Sequence, residues 1–245
     1  MRRGFCLVIT IIFVLNSGAD EKEVTNPYLS LLVEDYAISK AHDFQIIDWD
    51  DSLTFSWGKE KVMMSFSSIQ RNTNVVIFDS NSGLLFDTFI LDYEIMPYYI
   101  GGIFQTKLRG YETLVIHHYL LGATGWTASL HIMHLIIKTD SGYRYQELSS
   151  FFSSIESFVD LNEDDIAEFV CVRLILDEDG NFAVPVIFSF SETGEFRKST
   201  SGFRSNPVRL DRFKGLIPIT WEDVSESVKG ALEFSEPKAY RHRKN

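Results

Sequence analysis

The densest chemistry in this 245-residue chain is the run Asp160-Leu161-Asn162-Glu163-Asp164-Asp165-Ile166-Ala167-Glu168. Counting Asp160 as position one, oxygen-bearing side chains stand at positions one, three, five and nine, and Ile166 at position seven can offer its carbonyl. A hard cation such as Ca²⁺ takes about six to eight oxygen ligands at roughly 2.3–2.6 Å, and a tightly wound acidic loop can supply them. Asp160, Asn162, Asp164, Ile166 and Glu168 are therefore candidate ligands for one structural calcium ion. The carboxylates crowded into this run would otherwise repel one another. An EF-hand is excluded on spacing, because position twelve is Cys171 and not glutamate. A metal-free reading uses the same residues: Asn162 caps a helix whose first turn is Glu163-Asp164-Asp165, with Ile166, Phe169 and Val170 as its apolar face. The β-branched content of Phe169–Leu176 argues against that helix being long.

His117, His118, His131 and His134 are the next candidates, since three imidazoles could converge on zinc. On strands, however, successive side chains point to opposite faces, so His117 opposes His118 and His131 opposes His134. Each face then receives at most one from each pair, which leaves a zinc site short of ligands. Asp48, Asp50 and Asp51, flanking Trp49 and near Trp57, could line a sugar cleft; the plainer reading is a turn with one anchored aromatic. No Gly-x-Ser-x-Gly elbow, His-Glu-x-x-His pair or phosphate-cradling loop occurs, so no catalytic residue is assigned. Paired carboxylates for glycoside hydrolysis meet only in the fold and stay open here.

The phrase Phe158-Val159-Asp160-Leu161-Asn162-Glu163-Asp164-Asp165, with Glu168-Phe169-Val170, resembles the calcium loop of FG-GAP or VCBS repeats. The stretch before it has the same style. A glycine-containing turn, Tyr119 to Trp126, leads into a long strand, and Asp140-Ser141-Gly142 then turns into Tyr143-Arg144-Tyr145. The resemblance runs from Thr113 to Leu176. It implies blades of an integrin-like β-propeller, a secreted adhesion or binding role, and a calcium ion that is structural. The sequence departs from the family at position six, where Asp165 replaces the expected glycine; aspartate enters the left-handed backbone region less readily.

The elements that must position these residues are mostly strands. Short β-type runs lie at Phe44–Ile47, Leu53–Trp57, Lys61–Phe66, Asn74–Phe78, Leu84–Leu91, Tyr99–Thr106, Thr113–Leu121, Ser129–Lys138 and Tyr143–Leu148. After a gap come Phe169–Leu176, Phe182–Phe190 and Glu195–Thr200. Glycine-containing turns such as Asp79–Gly83, Asp140–Gly142 and Glu192–Gly194 join them as hairpins, which makes the pairing antiparallel. Runs apolar on both faces, such as Leu135-Ile136-Ile137, should lie between two layers. A helix is predicted from Asn26 and Pro27, burying Tyr28, Leu31, Leu32 and Tyr36, and another after Thr220 and Asp223 with Val224, Val228 and Leu232 as its stripe. The expected fold is mainly β: antiparallel sheets in a propeller-like or sandwich arrangement with short N- and C-terminal helices.

Arg2 and Arg3, the uncharged run Phe5–Leu15 and the small residues Ser17-Gly18-Ala19 read as a cleavable signal peptide over residues 1–19. The remainder, 20–245, reads as a single extracytoplasmic β-rich domain. No N-glycosylation sequon occurs, which leans towards a periplasmic or secreted bacterial product. Cys171 is the only cysteine beyond the leader, so no internal disulfide forms; its setting, Phe169-Val170-Cys171-Val172, suggests a buried small hydrophobe. The formal net charge of −11 repels nucleic acid and anionic lipid at long range. No later run is long enough for a stable membrane insertion. The favoured function is an exported non-catalytic binding or interaction protein for an unknown protein or glycan ligand; an extracytoplasmic hydrolase acting on glycan or peptide is the alternative.

Overall fold

A computed structural model describes residues 26–34, 36, 39–50, 52–67, 72–91, 99–119, 130–152, 154–178, 180–199, 202–211 and 214–231, with backbone alone for 238–240. The leader over residues 1–19 and Leu232 lie outside the described residues.

Hairpin-forming sequence dictates the layout. After helix α1 (Pro27–Leu32) come two short strands, β1 (Lys40–Ala41) and β2 (Gln45–Ile46). An antiparallel meander follows: β3 (Thr54–Trp57), β4 (Glu60–Ser67), β5 (Asn72–Asp79) and β6 (Leu85–Leu91). A second meander holds β7 (Ile100–Leu108), β8 (Tyr111–Tyr119), β9 (Leu130–Thr139) and β10 (Gly142–Phe151). The third holds β11 (Phe158–Asp160), β12 (Glu168–Asp177), β13 (Gly180–Phe190) and β14 (Phe196–Lys198), extended by β15 (Val208–Asp211) and β16 (Gly215–Pro218). Helix α2 (Glu226–Ala231) and β17 (Lys238–Tyr240) complete the described chain. All strand pairs among the described residues are antiparallel. β17 joins β10 at one edge of the second sheet and β2 joins β7 at the other, while β1 pairs with β11 in the third.

The three sheets stack face to face. Alternation on β4 and β5 buries Val62, Met64, Val75 and Ile77 on one side, and these pack against Ile103, Leu114, Ile116 and Ile136 of the second sheet. The residues between them on β8 and β9 point the other way. Val115, Leu135 and Ile137 meet Phe158, Phe169, Phe188 and Phe196 of the third sheet. The second sheet is thus the middle layer, and the two-faced apolar run Leu135-Ile136-Ile137 lies between layers as its sequence predicts. On the far side of the third sheet, Val170, Val172, Ala183 and Val208 pack under α1. Among the described residues the fold is mainly β, in three antiparallel layers with two short helices, as expected.

Polar pins tie the layers together. Gln146, 3% exposed, exchanges two hydrogen bonds of 2.7 Å with the backbone of Phe196, joining middle and third sheets. Glu60 on β4 is buried, pairs with Lys138 on β9 and accepts from Tyr143 at 3.3 Å, joining the first and middle sheets. Cys171 is fully buried among the third-sheet aromatics, and burial pushes its thiol up to about 11, which keeps it protonated and unreactive.

The structure corrects the N-terminal helix face and the start of the C-terminal helix. Asn26 caps α1 as predicted, accepting from the backbone N–H groups of Tyr28 and Leu29 at 3.0 and 3.3 Å. The helix is only six residues long, however, and it buries Leu29 and Leu32 while Tyr28 and Leu31 stay exposed. At the other end, Thr220 and Asp223 do bond to each other, but around a single 3₁₀ turn over Trp221–Asp223; α2 is a separate helix after Ser225. Val224 and Val228 are buried against Phe182 and Val184, as the apolar stripe requires.

Candidate functional site

The acidic run is the tip of the β11–β12 hairpin, which closes through the register pairs Phe158↔Phe169 and Val159↔Glu168. Side-chain oxygens wind it. Asp160 accepts from the backbone N–H of Asp164 at 3.1 Å and of Asp165 at 2.8 Å. Asn162 Oδ1 accepts from the same Asp164 N–H at 3.2 Å, and Asp164 accepts from Ile166 N–H at 2.9 Å. Glu168 reaches back to the Leu161 N–H at 2.9 Å. Each of these is a short polar side chain satisfying backbone that the turn leaves unpaired. The helix-cap reading of Asn162 is overturned. Glu163 and Asp165 take φ of 60° and 61°, left-handed values that break a right-handed turn at two alternate positions. The second is position six, so Asp165 adopts the conformation for which glycine was expected.

The turn therefore gathers Asp160, Asn162, Asp164 and Glu168, while the Ile166 side chain packs against the core between middle and third sheets. Asp160 is 8% exposed and Glu168 1%. Burial first, then the nearby Asp164 and Asp160 carboxylates, raises the Glu168 carboxyl to about 7. Among the described residues no group of three or more His, Cys, Asp or Glu side chains is already arranged around a metal position. The carboxylates bond to backbone N–H groups instead; each retains acceptor capacity, since a carboxylate offers about four lone-pair sites.

The four histidines separate by face as strand alternation requires, but they do not stand alone. On the face towards the first sheet, His118 Nδ1 lies 2.8 Å from His134 Nε2, and His134 Nδ1 lies 2.5 Å from the Tyr145 hydroxyl. The His118 and His134 rings are parallel within 5°. On the opposite face His117 Nε2 lies 3.0 Å from His131 Nδ1, with Tyr119 against both rings. Glu147, also buried, is the cross-strand neighbour of His134. Burial, reinforced by neighbouring imidazoles, lowers His117 to about 3 and His118 to about 4; burial alone lowers His131 to about 4. His134, wholly buried, falls well below its usual value for the same reasons. The rings are neutral near pH 7, so within each pair one ring donates the hydrogen bond and the other accepts it.

Gly101 on β7 makes room for this arrangement: a Cβ there would sit 2.6 Å from His117 Nδ1 and 2.8 Å from its Cε1. Gly101→Ala is expected to lower stability by about 1–3 kcal/mol through overpacking. Thermal unfolding checks it, and in a His117→Ala background the same change should cost clearly less, with Tyr119 Cε2 at 3.0 Å as the remaining neighbour. Equal losses in both backgrounds would remove the steric account.

Asp50 anchors the turn into β3. Asp50 Oδ1 accepts from Ser52 N–H at 3.0 Å and Thr54 N–H at 3.1 Å, and Trp49 packs against the core between the first and middle sheets. Asp51 lies outside the described residues.

A cleft that sequence reading missed lies where residues 40–46 cross from the third sheet to the middle one. It has a volume of about 400 Å³, and its walls come from the β1–β2 crossing, from Gln105 to Lys107 on β7, from Glu112 on β8, and from Trp57 and Gly58 at the β3–β4 turn. His42 Nε2 lies 2.8 Å from Thr106 Oγ1, and Thr106 in turn donates to the Asp43 carbonyl at 2.6 Å. Gln105 donates to the Gln45 side chain at 3.0 Å. Burial lowers His42, so the ring is a neutral wall held in place rather than a charge offered to a ligand.

Fold and site together define a layered antiparallel β protein with a wound acidic hairpin tip and a polar cleft between sheets. No protein-family model matches the chain, and no curated protein or solved structure matches it. No helix of the described residues is long and apolar enough to cross a membrane.

Proposed function

We propose that this chain is an exported, non-catalytic binding protein for a protein or glycan ligand, built from FG-GAP/VCBS-like blades and holding one structural calcium ion in the acidic turn. The observation that carries the reading is the winding of that turn. Asp160, Asn162, Asp164 and Glu168 converge within one hairpin tip, and residues at positions four and six take the left-handed backbone such loops need. The Ile166 carbonyl would complete the protein's share of the oxygen ligands, with water filling the rest. The ion's role is to neutralise crowded carboxylates and so stiffen the end of the third sheet, next to the strand that leads into the cleft.

Scanning calorimetry of the mature chain in chelator and in millimolar Ca²⁺ tests this. A ligand at a hundred times its dissociation constant stabilises the folded state by about 2.7 kcal/mol. A rise of several degrees in Tm is expected with Ca²⁺. Asp164→Asn should reduce the rise, and Asp160→Ala with Asp164→Ala should abolish it. An unchanged melting temperature at millimolar Ca²⁺ sinks the calcium site.

A further inference from the structure

We infer that the cleft between the β1–β2 crossing and the rim of the middle sheet is a binding site for a neutral, hydroxyl-rich ligand, a monosaccharide or disaccharide unit. The inference rests on the binding reading above and deepens it by naming the ligand class.

The cleft's chemistry selects the ligand. The Gln45–Gln105 pair uses one amide N–H and one amide oxygen on itself, so whichever way the amides point, one amide nitrogen and one amide oxygen remain to face a ligand. Among the described residues, the Asp43 carboxylate accepts no hydrogen bond and the Lys107 ammonium forms no ion pair. Glu112 is shared with Lys138 at 3.4 Å. The cleft thus offers amide, carboxylate and ammonium groups together, donors beside acceptors, with charges of both signs.

An anion would meet two carboxylates and the −11 field of the chain, which opposes it. A cation would meet Lys107, and the Glu112 carboxylate is already shared with Lys138. A flat apolar ligand would find no platform, because Trp57 is only 3% exposed and is packed against Tyr143 at 5.9 Å between centroids. A sugar hydroxyl both donates and accepts, so it can use each kind of group present. The volume of about 400 Å³ sits at the small end of the ordinary range of about 300–1,000 Å³ for ligand sites. His42 and Thr106 are locked to each other, which pre-forms the wall and limits the ordering that binding requires.

Isothermal titration of the mature chain with glucose, galactose, mannose, N-acetylglucosamine and their common disaccharides tests the site, with glucuronic acid and glucosamine as charged comparators. Saturable binding of at least one neutral sugar is expected, tighter than for its charged counterpart. Gln45→Ala with Gln105→Ala should weaken it by tenfold or more, since each hydrogen bond contributes about 1 kcal/mol. Asn74→Ala on the first sheet should leave it unchanged, and circular dichroism should show both variants folded. Silence across the neutral sugars, preference for the charged ones, or binding indifferent to the glutamine pair overturns the proposal. The calcium melting experiment is read separately, so a failed sugar panel with a calcium-dependent rise in Tm removes this ligand class and leaves the broader reading standing.

Discussion

Lowering the pH from 7.5 to 5 is expected to cost the protein several kcal/mol of stability through its buried histidines. His117, His118 and His134 are buried on the middle sheet, and each has a folded-state pKa pushed down chiefly by burial. A base whose pKa is lower folded than unfolded contributes its full stability above the unfolded value, near 6.5, and loses it as pH falls through that value towards the folded one. At pH 5 the unfolded chain gains a proton at each of these histidines while the folded chain does not. The difference is about 2 kcal/mol per histidine, on the order of 6 kcal/mol for the three. His131 adds in the same direction, while Glu168, raised to about 7, takes up its proton in the folded state over this range and offsets about 2 kcal/mol of the loss. A domain's whole stability is typically about 5–15 kcal/mol, so this loss is a large share of it.

The geometry leaves little escape. A proton placed on His134 would face the ring nitrogen of His118 at 2.8 Å, and one on His117 would face His131 at 3.0 Å. Each pair could share one proton only by carrying charge inside a core layer. Glu147 lies across from His134, yet burial and the like charge of His118 and His117 govern that ring. Urea unfolding at stepped pH checks the expectation: stability should fall from about 6.5 downwards, and Glu168→Gln should steepen that fall by removing the opposing carboxyl. Replacing His118 and His134 together by glutamine should flatten part of that slope. A stability curve level down to pH 4.5 would show that the four rings are not held neutral by the fold.

Much of this arrangement was legible in the residue order, and what was not has a physical reason. Strand alternation alone separates His117 from His118 and His131 from His134, because side-chain direction on a strand is a local property. Which imidazole meets which depends on register, and register is set by the β8–β9 pairing, with Tyr119 opposite His131 and Ile116 opposite His134. The middle layer was readable from Leu135-Ile136-Ile137 because only a sheet buried on both faces tolerates such a run. Strands β1, β11, β15 and β16 were not: they are two to four residues long and no hairpin turn of the kind that marks β3 and β14 flags them. Their pairing comes from the sheet that receives them.

The N-terminal helix face failed for a related reason. A periodic stripe over Tyr28, Leu31, Leu32 and Tyr36 presumes several turns, and α1 stops at Leu32, so its neighbours and not its period choose Leu29 and Leu32 for burial. The acidic turn was visible as a cluster of oxygens, whereas its left-handed positions were not, because Glu163 and Asp165 are not residues that advertise them. The cleft was invisible in principle. Its walls come from His42–Gln45, Trp57–Gly58, and Gln105 to Glu112, which only the stacking of sheets brings together.

That stacking depends on one aromatic layer, and Phe169→Ala is expected to destabilise the protein by about 3–5 kcal/mol. Phe169 is wholly buried. Its ring lies 4.8 Å from Phe158 and 6.3 Å from Phe196, and Phe196 makes edge-to-face contacts with Phe158 at 5.7 Å and Phe190 at 5.0 Å. These rings fill the space between middle and third sheets, so truncating one leaves a cavity that neither rigid sheet can close. For a chain of this size each kcal/mol shifts Tm by about 2–4 °C, which puts the expected drop near 10 °C. Leu176→Ala on the same strand, 79% exposed, should change stability by less than about 0.5 kcal/mol. A double-mutant cycle between Phe169 and Phe196 should return a coupling of about 0.5–1.5 kcal/mol, the added value of an aromatic pair. Phe169 and Phe158 are also the register pair at the base of the acidic turn. The milder Phe169→Leu should therefore leave the chain folded yet weaken its melting response to Ca²⁺, because the hairpin that presents Asp160 and Glu168 loses the packing that fixes its two strands. A Phe169→Leu protein with an unaltered calcium response would mean that the turn holds its shape by its own hydrogen bonds and owes nothing to the layer beneath it.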